Sequence, residues 1–283
     1  MKNIKKCEYK VLLFILINIF LFLLVNKFIF KLFNKNITYE YFEGNNIVEI
    51  NDIKYLINNE NDYIQKSLLN GKQWNKDLIN YIKKLIQKNN LKHFVNIGCH
   101  IGTVAIPISK NISNVSAIEA YPLTYQHLMK NISINNIKNI NAMNIGVGDK
   151  EEKIFFMNQN TDRIKNNSGG MHVFTESDIK NNIRSSNLSD KKITNKIYKF
   201  DNLDIDNFDI MLIDIEGSEN EFLNGAIKKL KKNKPIIILE IWNDNKRKSE
   251  NMNTTQQDII NRINNLGYRN ENLQDDDFIF YPI

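Results

Sequence analysis

Hydrophobic and polar positions in this chain change period several times, and each change marks an element. Residues 11–33, VLLFILINIFLFLLVNKFIFKLF, show no period: Val11 to Val25 is apolar except for Asn18, and Phe28 to Phe33 continues the run past Lys27. About 20 apolar residues cross a bilayer, so this stretch predicts a single-pass transmembrane helix. No small-residue cleavage site follows it, which favours a retained anchor over a removed signal peptide. Lys2, Lys5, Lys6 and Lys10 precede the span while Lys27, Lys31 and Lys35 follow it, a small bias that sets the N-terminus in the cytosol. Residues 36–72 read as a linker with a short hairpin, Ile47–Ile50 and Ile53–Leu56 about an Asn51-Asp52 turn. From residue 73 the periods become those of a folded domain. Leu78, Ile82, Leu85 and Ile86 mark one face of an amphipathic helix over 74–88, and Phe94-Val95-Asn96-Ile97 then reads as a buried strand.

The stretch Phe94 to Glu119 organises the rest of the domain. Its strand runs into Gly98-Cys99-His100-Ile101-Gly102, then an apolar run at helical spacing from Thr103 to Ile108, then a strand Val115–Ile118 ending on Glu119. Strand, glycine turn, helix, strand and acidic residue make the first half of a nucleotide-binding α/β unit. Beyond it come a helix after Tyr121-Pro122 with Tyr125, Leu128, Met129 and Ile132 on one face, and strands over Asn139–Val147 and Lys153–Met157. A polar, asparagine-rich segment, 158–196, has Ser168-Gly169-Gly170 at its centre; loops of this length are usually functional or mobile. The strand Asp209–Asp214 then ends on a carboxylate, and Ser218 with Glu221 three residues on forms a capping-box pattern for the next helix. A strand Ile236–Leu239 ending on Glu240, a helix near 259–266 and the apolar run Phe278–Tyr281 complete the sheet. The reading is a Rossmann-like α/β domain over 73–283 behind an anchor at 1–35 and a linker at 36–72.

Charge narrows the function. The formal net charge is +6 and the pI about 9.0, which invites a nucleic-acid partner. Residues 1–35, however, hold seven lysines against Glu8 alone, leaving 31 residues of each sign in the remainder. A neutral body does not track phosphates, so no nucleic acid is expected. Cys7 and Cys99 form no framework, and with no C-x-x-C pair and four scattered histidines a zinc site is not expected.

The ligand of the glycine turn is read from what the turn lacks. A dinucleotide fingerprint needs glycine where this chain has His100, and a third glycine after Gly102. Glu119, about 20 residues past the first glycine, is placed to accept both hydroxyls of a ribose. A ligand with adenosine and no phosphates fits better, and S-adenosylmethionine is the obvious one to expect. The expected cofactor contacts of this turn are Gly98, His100, Gly102 and Glu119. Asp214 ends an apolar strand, where a carboxylate is costly unless it caps the helix behind it or serves a ligand.

These residues resemble the FkbM-type methyltransferase family over roughly 60–283. The family's Asp-x-Gly-x-x-x-Gly is matched by Asn96-Ile97-Gly98-Cys99-His100-Ile101-Gly102, its Glu-x-x-Pro by Glu119-Ala120-Tyr121-Pro122, and its Asp-x-Glu-Gly by Asp214-Ile215-Glu216-Gly217. Asp201 sits where the family has an acidic residue before a leucine, and Phe222–Ala226 resembles the continuation of its signature. The resemblance implies a class I methyltransferase sheet of seven strands with an antiparallel last strand. It also implies methyl transfer from S-adenosylmethionine to a hydroxyl of a sugar, glycan or small metabolite. The resemblance adds Asn96 to the expected cofactor contacts, in place of the family's usual Asp, and Leu212 replaces the signature's lysine. A carboxylate or imidazole can take the acceptor's proton; Asp214 is favoured, with His172, beside the glycine pair, and His100 as the other candidates. Two other readings stand beside the anchored O-methyltransferase: a dehydrogenase, disfavoured by His100, and a catalytically inactive, membrane-tethered binding module, which Asn96 and Leu212 keep open.

Overall fold

The computed structural model describes residues 46–156, 167–171, 173–176 and 194–283. They begin with the hairpin β1 (Asn46–Ile50) and β2 (Ile53–Ile57). Asn51 and Asp52 both have positive φ, as a two-residue turn matched to strand twist requires. The hairpin is no free linker. Ile50, Ile53, Tyr55 and Ile57 are buried in the main core, and the amides of Lys54 and Leu56 on its open edge donate to asparagine side chains.

After α1 (Tyr63–Leu69) and α2 (Lys76–Asn89), the chain alternates strand and helix: β3 (His93–Ile97), α3 (Ala105–Ser109), β4 (Asn114–Ile118), α4 (Pro122–Ile134) and β5 (Ile140–Met143). Next come β6 (Gly146–Gly148), β7 (Glu152–Phe156), β8 (Val173–Thr175) and β9 (Thr194–Lys199). The last part comprises β10 (Ile210–Ile213), α5 (Glu219–Asn233), β11 (Ile236–Glu240), α6 (Asp244–Ser249), α7 (Gln256–Asn264), β12 (Tyr268–Gln274) and β13 (Asp277–Pro282). Seven strands form the central sheet in the order β12-β13-β11-β10-β3-β4-β5, with β13 antiparallel to both neighbours. This is the sheet that the sequence implied. Its inner strands are apolar on both faces because helices cover both. One face carries Phe94, Val115, Ala117, Ile210, Leu212, Ile236 and Ile238 into the hairpin-side core. The other carries Val95, Ile97, Met211, Ile213, Ile237 and Leu239 against α5 and α7.

Helix α4 joins the hairpin to the glycine turn. Its Asn131 accepts from Leu56 N at 2.8 Å and donates to Ile101 O at 2.9 Å, while Asn135 accepts from Lys54 N and donates to Lys54 O. The buried face of α4 is Leu123, Thr124, His127, Leu128, Asn131 and Ile132, so Leu128 and Ile132 of the expected stripe are on it and Tyr125 packs beside it, whereas Met129 is 40% exposed. Polar residues join that face because an unpaired hairpin edge needs hydrogen-bond partners.

Two further expectations are corrected. The single strand over 139–147 breaks in two: Asn144 turns its amide onto the carbonyls of Glu119 and Ala120, and β6 leaves to pair with β9. The strand expected from Lys153 onward is β7, which joins that second sheet, of order β6-β9-β7-β8. Ser218 does occupy the N-cap of α5, but its side chain makes no cap bond; the next residue, Glu219, takes the free amide of Gly217 instead. The expected span at 11–33 and the candidate His172 lie outside the described residues. Among the described residues no helix is long and apolar enough to cross a membrane.

Candidate active site

Strand register places the acidic residues in one row. Ile97 pairs with both Ile118 and Ile213, Ile213 with Leu239, and Glu240 with Asp277. One step beyond each parallel strand stand Glu119, Gly98, Asp214 and Glu240, and Asp277 joins them because β13 runs the other way. Gly98 and the four acidic residues all line the same cavity. The row borders a cavity of about 390 Å³ at the carboxyl ends of the parallel strands, where ligands bind in open α/β sheets.

Gly98 sits in the middle of the row with φ +73°, and a Cβ there would lie 1.6 Å from the carbonyl oxygen of Asp214. The glycine thus serves the packing of the β3 turn onto β10, as well as tolerating a left-handed backbone. Gly102 also has positive φ, but its missing Cβ would meet Leu128 and Ile106, and it is not among the residues lining the cavity. Asn96, Gly98, Cys99, His100 and Glu119 do line it. The helix that follows the turn, α3, has only five residues, so its dipole adds little to the loop's own amides.

Glu119 is held by donors. Its Oε2 accepts from His100 N at 2.9 Å and its Oε1 from Tyr121 N at 2.8 Å. Each oxygen keeps a second lone pair for a ligand. Burial still outweighs the two amides and pushes the carboxyl up to about 7. Asn96, 2% exposed, lies one row deeper, and its Oδ1 is buried without a hydrogen-bond partner. An unpaired amide oxygen in a core costs about 1–3 kcal/mol, which a bound donor would recover.

Across Gly98 the carboxylates face one another. The oxygens of Asp214, Glu216 and Glu240 come within 4.8 Å. Burial first, then the charges of Glu240 and Glu216 and a hydrogen bond with Glu240, hold the Asp214 carboxyl well above the usual range. Burial, Glu240 and the flanking Asp275 and Asp276 push Asp277 up to about 6. Such a group can share a proton, as paired carboxyls do, or offer oxygen ligands to a hard cation.

The turn carrying Asp214 and Glu216 is fixed from behind. Glu216 has φ +51° and Gly217 φ +95°, and a Cβ on Gly217 would meet Met252 and Trp242. Glu219 Oε1 accepts from Gly217 N at 2.8 Å, and its Oε2 pairs with Arg247 at 2.9 Å, both side chains being almost fully buried. Arg247 Nε in turn donates to Thr254 O at 2.7 Å. Sequence reasoning missed this pair, and also Asp277, whose place is set only by the reversed direction of β13. Tyr63 and Trp74 meet edge to face at 5.3 Å and also line the cavity.

Three solved structures show what the chain is similar to. A methyltransferase FkbM from Methylobacillus flagellatus KT is 16% identical over 68% of this chain and 44% of its own, with a TM-score of 0.46. A tRNA (uracil-54, C5)-methyltransferase of Pyrococcus abyssi in complex with S-adenosyl-L-homocysteine is 12% identical over 84% of this chain and 44% of its own, with a TM-score of 0.43. An O-methyltransferase of Bacillus cereus is 16% identical over 73% of this chain and 80% of its own, also with a TM-score of 0.43. The chain therefore spans less than half the length of the first two. No curated protein matches the sequence. The model of the methyltransferase FkbM domain matches residues 96–270, which hold Asn96, the glycine turn, Glu119, Asp214 and Glu240, and by that match the chain belongs to the FkbM methyltransferase family.

Proposed function

We propose that this protein transfers a methyl group from S-adenosylmethionine to a hydroxyl of a neutral acceptor, a sugar, glycan or small metabolite. The observation that carries this reading is the row at the strand ends, split by Gly98 into an amide-bound carboxylate and a cluster of mutually facing ones. Asn96, Gly98, His100 and Glu119 suit the cofactor: a ribose can donate both hydroxyls to the free lone pairs of Glu119, and the buried Oδ1 of Asn96 can accept from an amine. When bound, the cofactor supplies a methyl already activated on a sulfonium. The protein's part is positioning, which can supply about 7–11 kcal/mol of the barrier, and removal of one proton. Asp214 is the group for that proton. Its raised affinity makes it a stronger base once ionised, and Glu240 beside it can share the proton it takes up.

Among the described residues no lysine or arginine lines the cavity, whereas Glu119, Asp214, Glu216, Glu240 and Asp277 do. That balance disfavours phosphate-bearing acceptors, nucleic acid included. The apolar run at 11–33 supports a single-pass anchor with the N-terminus in the cytosol. The second reading, an inactive binding module, rests on Leu212 in place of a lysine; Leu212 is buried and lines the cavity with no charge to offer. Calorimetry with S-adenosylmethionine and with NAD tests the proposal. We expect saturable binding of the first only, and affinity for NAD instead would overturn it.

A further inference from the structure

His100 stands where a glycine would be easiest. Its φ is +50°, and a left-handed backbone is unfavourable for a residue with a Cβ. Yet its backbone N–H has to point at Glu119 Oε2, 2.9 Å away, for that carboxylate to be held. Something must fix the residue in this conformation, and the side chain shows what does. His100 Nε2 lies 2.9 Å from Ser168 Oγ. Ser168 Oγ donates to Asp62 Oδ2 at 2.7 Å, and Ser168 N donates to the same oxygen at 2.8 Å. Asp62 is itself fully buried, and its other oxygen caps α1 by accepting from Gln65 N at 3.0 Å.

The order of donors settles the imidazole. The Ser168 hydroxyl has one proton and gives it to Asp62, so Nε2 must donate to Ser168, which leaves the neutral ring bare at Nδ1. Nδ1 is buried without a partner, consistent with a tautomer chosen from the Nε2 side alone. Burial keeps the ring neutral by lowering its proton affinity more than Asp62 raises it. The arrangement is not a nucleophilic triad, since the serine rather than the histidine lies between the other two.

We propose that Asp62 and Ser168 are positioning residues for Glu119, acting through the side chain of His100 to hold its backbone N–H against the carboxylate. They lie 38 and 68 residues from His100 in sequence, outside the block matched by the family model in one case. The chain of bonds ties α1 and the Ser168–Gly170 turn to the group that receives the ribose. The inference rests on the cofactor reading proposed for this site.

A coupled pair of substitutions tests it. Ser168→Ala removes the anchor and should weaken S-adenosylmethionine about 5–10-fold by calorimetry, the scale of one hydrogen bond. His100→Gly adopts the left-handed backbone without an anchor, so adding Ser168→Ala to it should change affinity less than about 2-fold. Nitrogen NMR of the histidines should show His100 protonated at Nε2 and bare at Nδ1 in the wild type, and this signature should be lost in Ser168→Ala and in Asp62→Asn. The relay is overturned if Ser168→Ala binds like the wild type, if its effect persists undiminished beside His100→Gly, or if His100 carries its proton on Nδ1. A folded wild type that binds no S-adenosylmethionine sinks the cofactor reading itself, and the relay's purpose with it.

Discussion

The two halves of the strand-end row hold carboxyl groups in opposite surroundings. On the β4 side Glu119 faces two backbone amides, and on the β10–β11–β13 side Asp214, Glu240 and Asp277 face one another. Both halves have raised proton affinities, but for different reasons. For Glu119 burial is opposed by its donors; for Asp214 burial is reinforced by like charge. A carboxylate fixed by amides is a rigid acceptor suited to orienting a neutral hydroxyl. Carboxylates that repel are poised to gain a proton or a positive neighbour, which suits the place where a hydroxyl loses its proton.

Gly98 separates the halves, so filling it should break both. Gly98→Ala places a methyl within the carbonyl of Asp214 at a positive φ, and β3 and β10 must part to admit it. We expect a loss of about 4 kcal/mol or more, in the range reserved for named structural clashes. Chemical denaturation would show it, and a variant of near wild-type stability would mean that the turn is loose.

Asp214→Asn breaks only one half. Fold and affinity for S-adenosylmethionine should hold, while turnover falls about 10²–10⁴-fold, the usual contribution of a general base. A helix cap would give a different result, since Asn caps nearly as well as Asp. Slow solvolysis of the cofactor can stand in for an acceptor in this measurement. Wild-type turnover in a folded Asp214→Asn would hand the proton to His172, His100 or water.

Glu119→Ala breaks the other half. It should weaken S-adenosylmethionine by about 2–3 kcal/mol, the scale of charge-assisted hydrogen bonds to a ribose. It also strands the amides of His100 and Tyr121, so its thermal midpoint should fall as well. A normal affinity in this variant would remove the ribose assignment.

How much of this could be read from the chain depends on how local each signal is. The glycine turn, Glu119 and Asp214 each end a short apolar run, and strand ends are set by local period, so they were legible. The hairpin was legible for the same reason, through Asn51 and Asp52. Its docking onto α4 was not, because Asn131 and Asn135 look like solvent-facing residues until a hairpin edge is laid against them. Asp277 was hidden by direction: only when β13 is known to run backwards does its first residue reach the row. The Arg247–Glu219 pair and the Asp62–Ser168–His100 chain join residues 28 to 106 positions apart, and no period along one segment encodes such contacts.

The smallest effect expected is at Asp277, and it sharpens the comparison by pH rather than by loss. An unfolded aspartate titrates near 3.9, and in the folded domain Asp277 is pushed up to about 6. Between those values the folded state binds more protons than the unfolded one, so stability is full below pH 4 and declines as pH rises through about 6. Glu119, pushed up to about 7, adds a decline of the same sign over a slightly higher range. His127 works the other way: burial lowers it to about 4, so its contribution falls away as pH drops below about 6.5. The clean window is therefore pH 6.5 to 8, where only the carboxyl groups still titrate and the thermal midpoint should go on falling as they ionise. Asp277→Asn removes one repelling charge from the acidic half and leaves Glu119 alone. Asp277 is partly open to the cavity, which discounts its full shift, so the gain at pH 8 should be about 1 kcal/mol, or about 2–4 °C in a domain of this size. At pH 4, where both side chains are neutral, the variant and the wild type should melt together. A gain that is equal at pH 4 and pH 8 would mean that Asp277 acts through packing, and that the acids of this half do not sense one another.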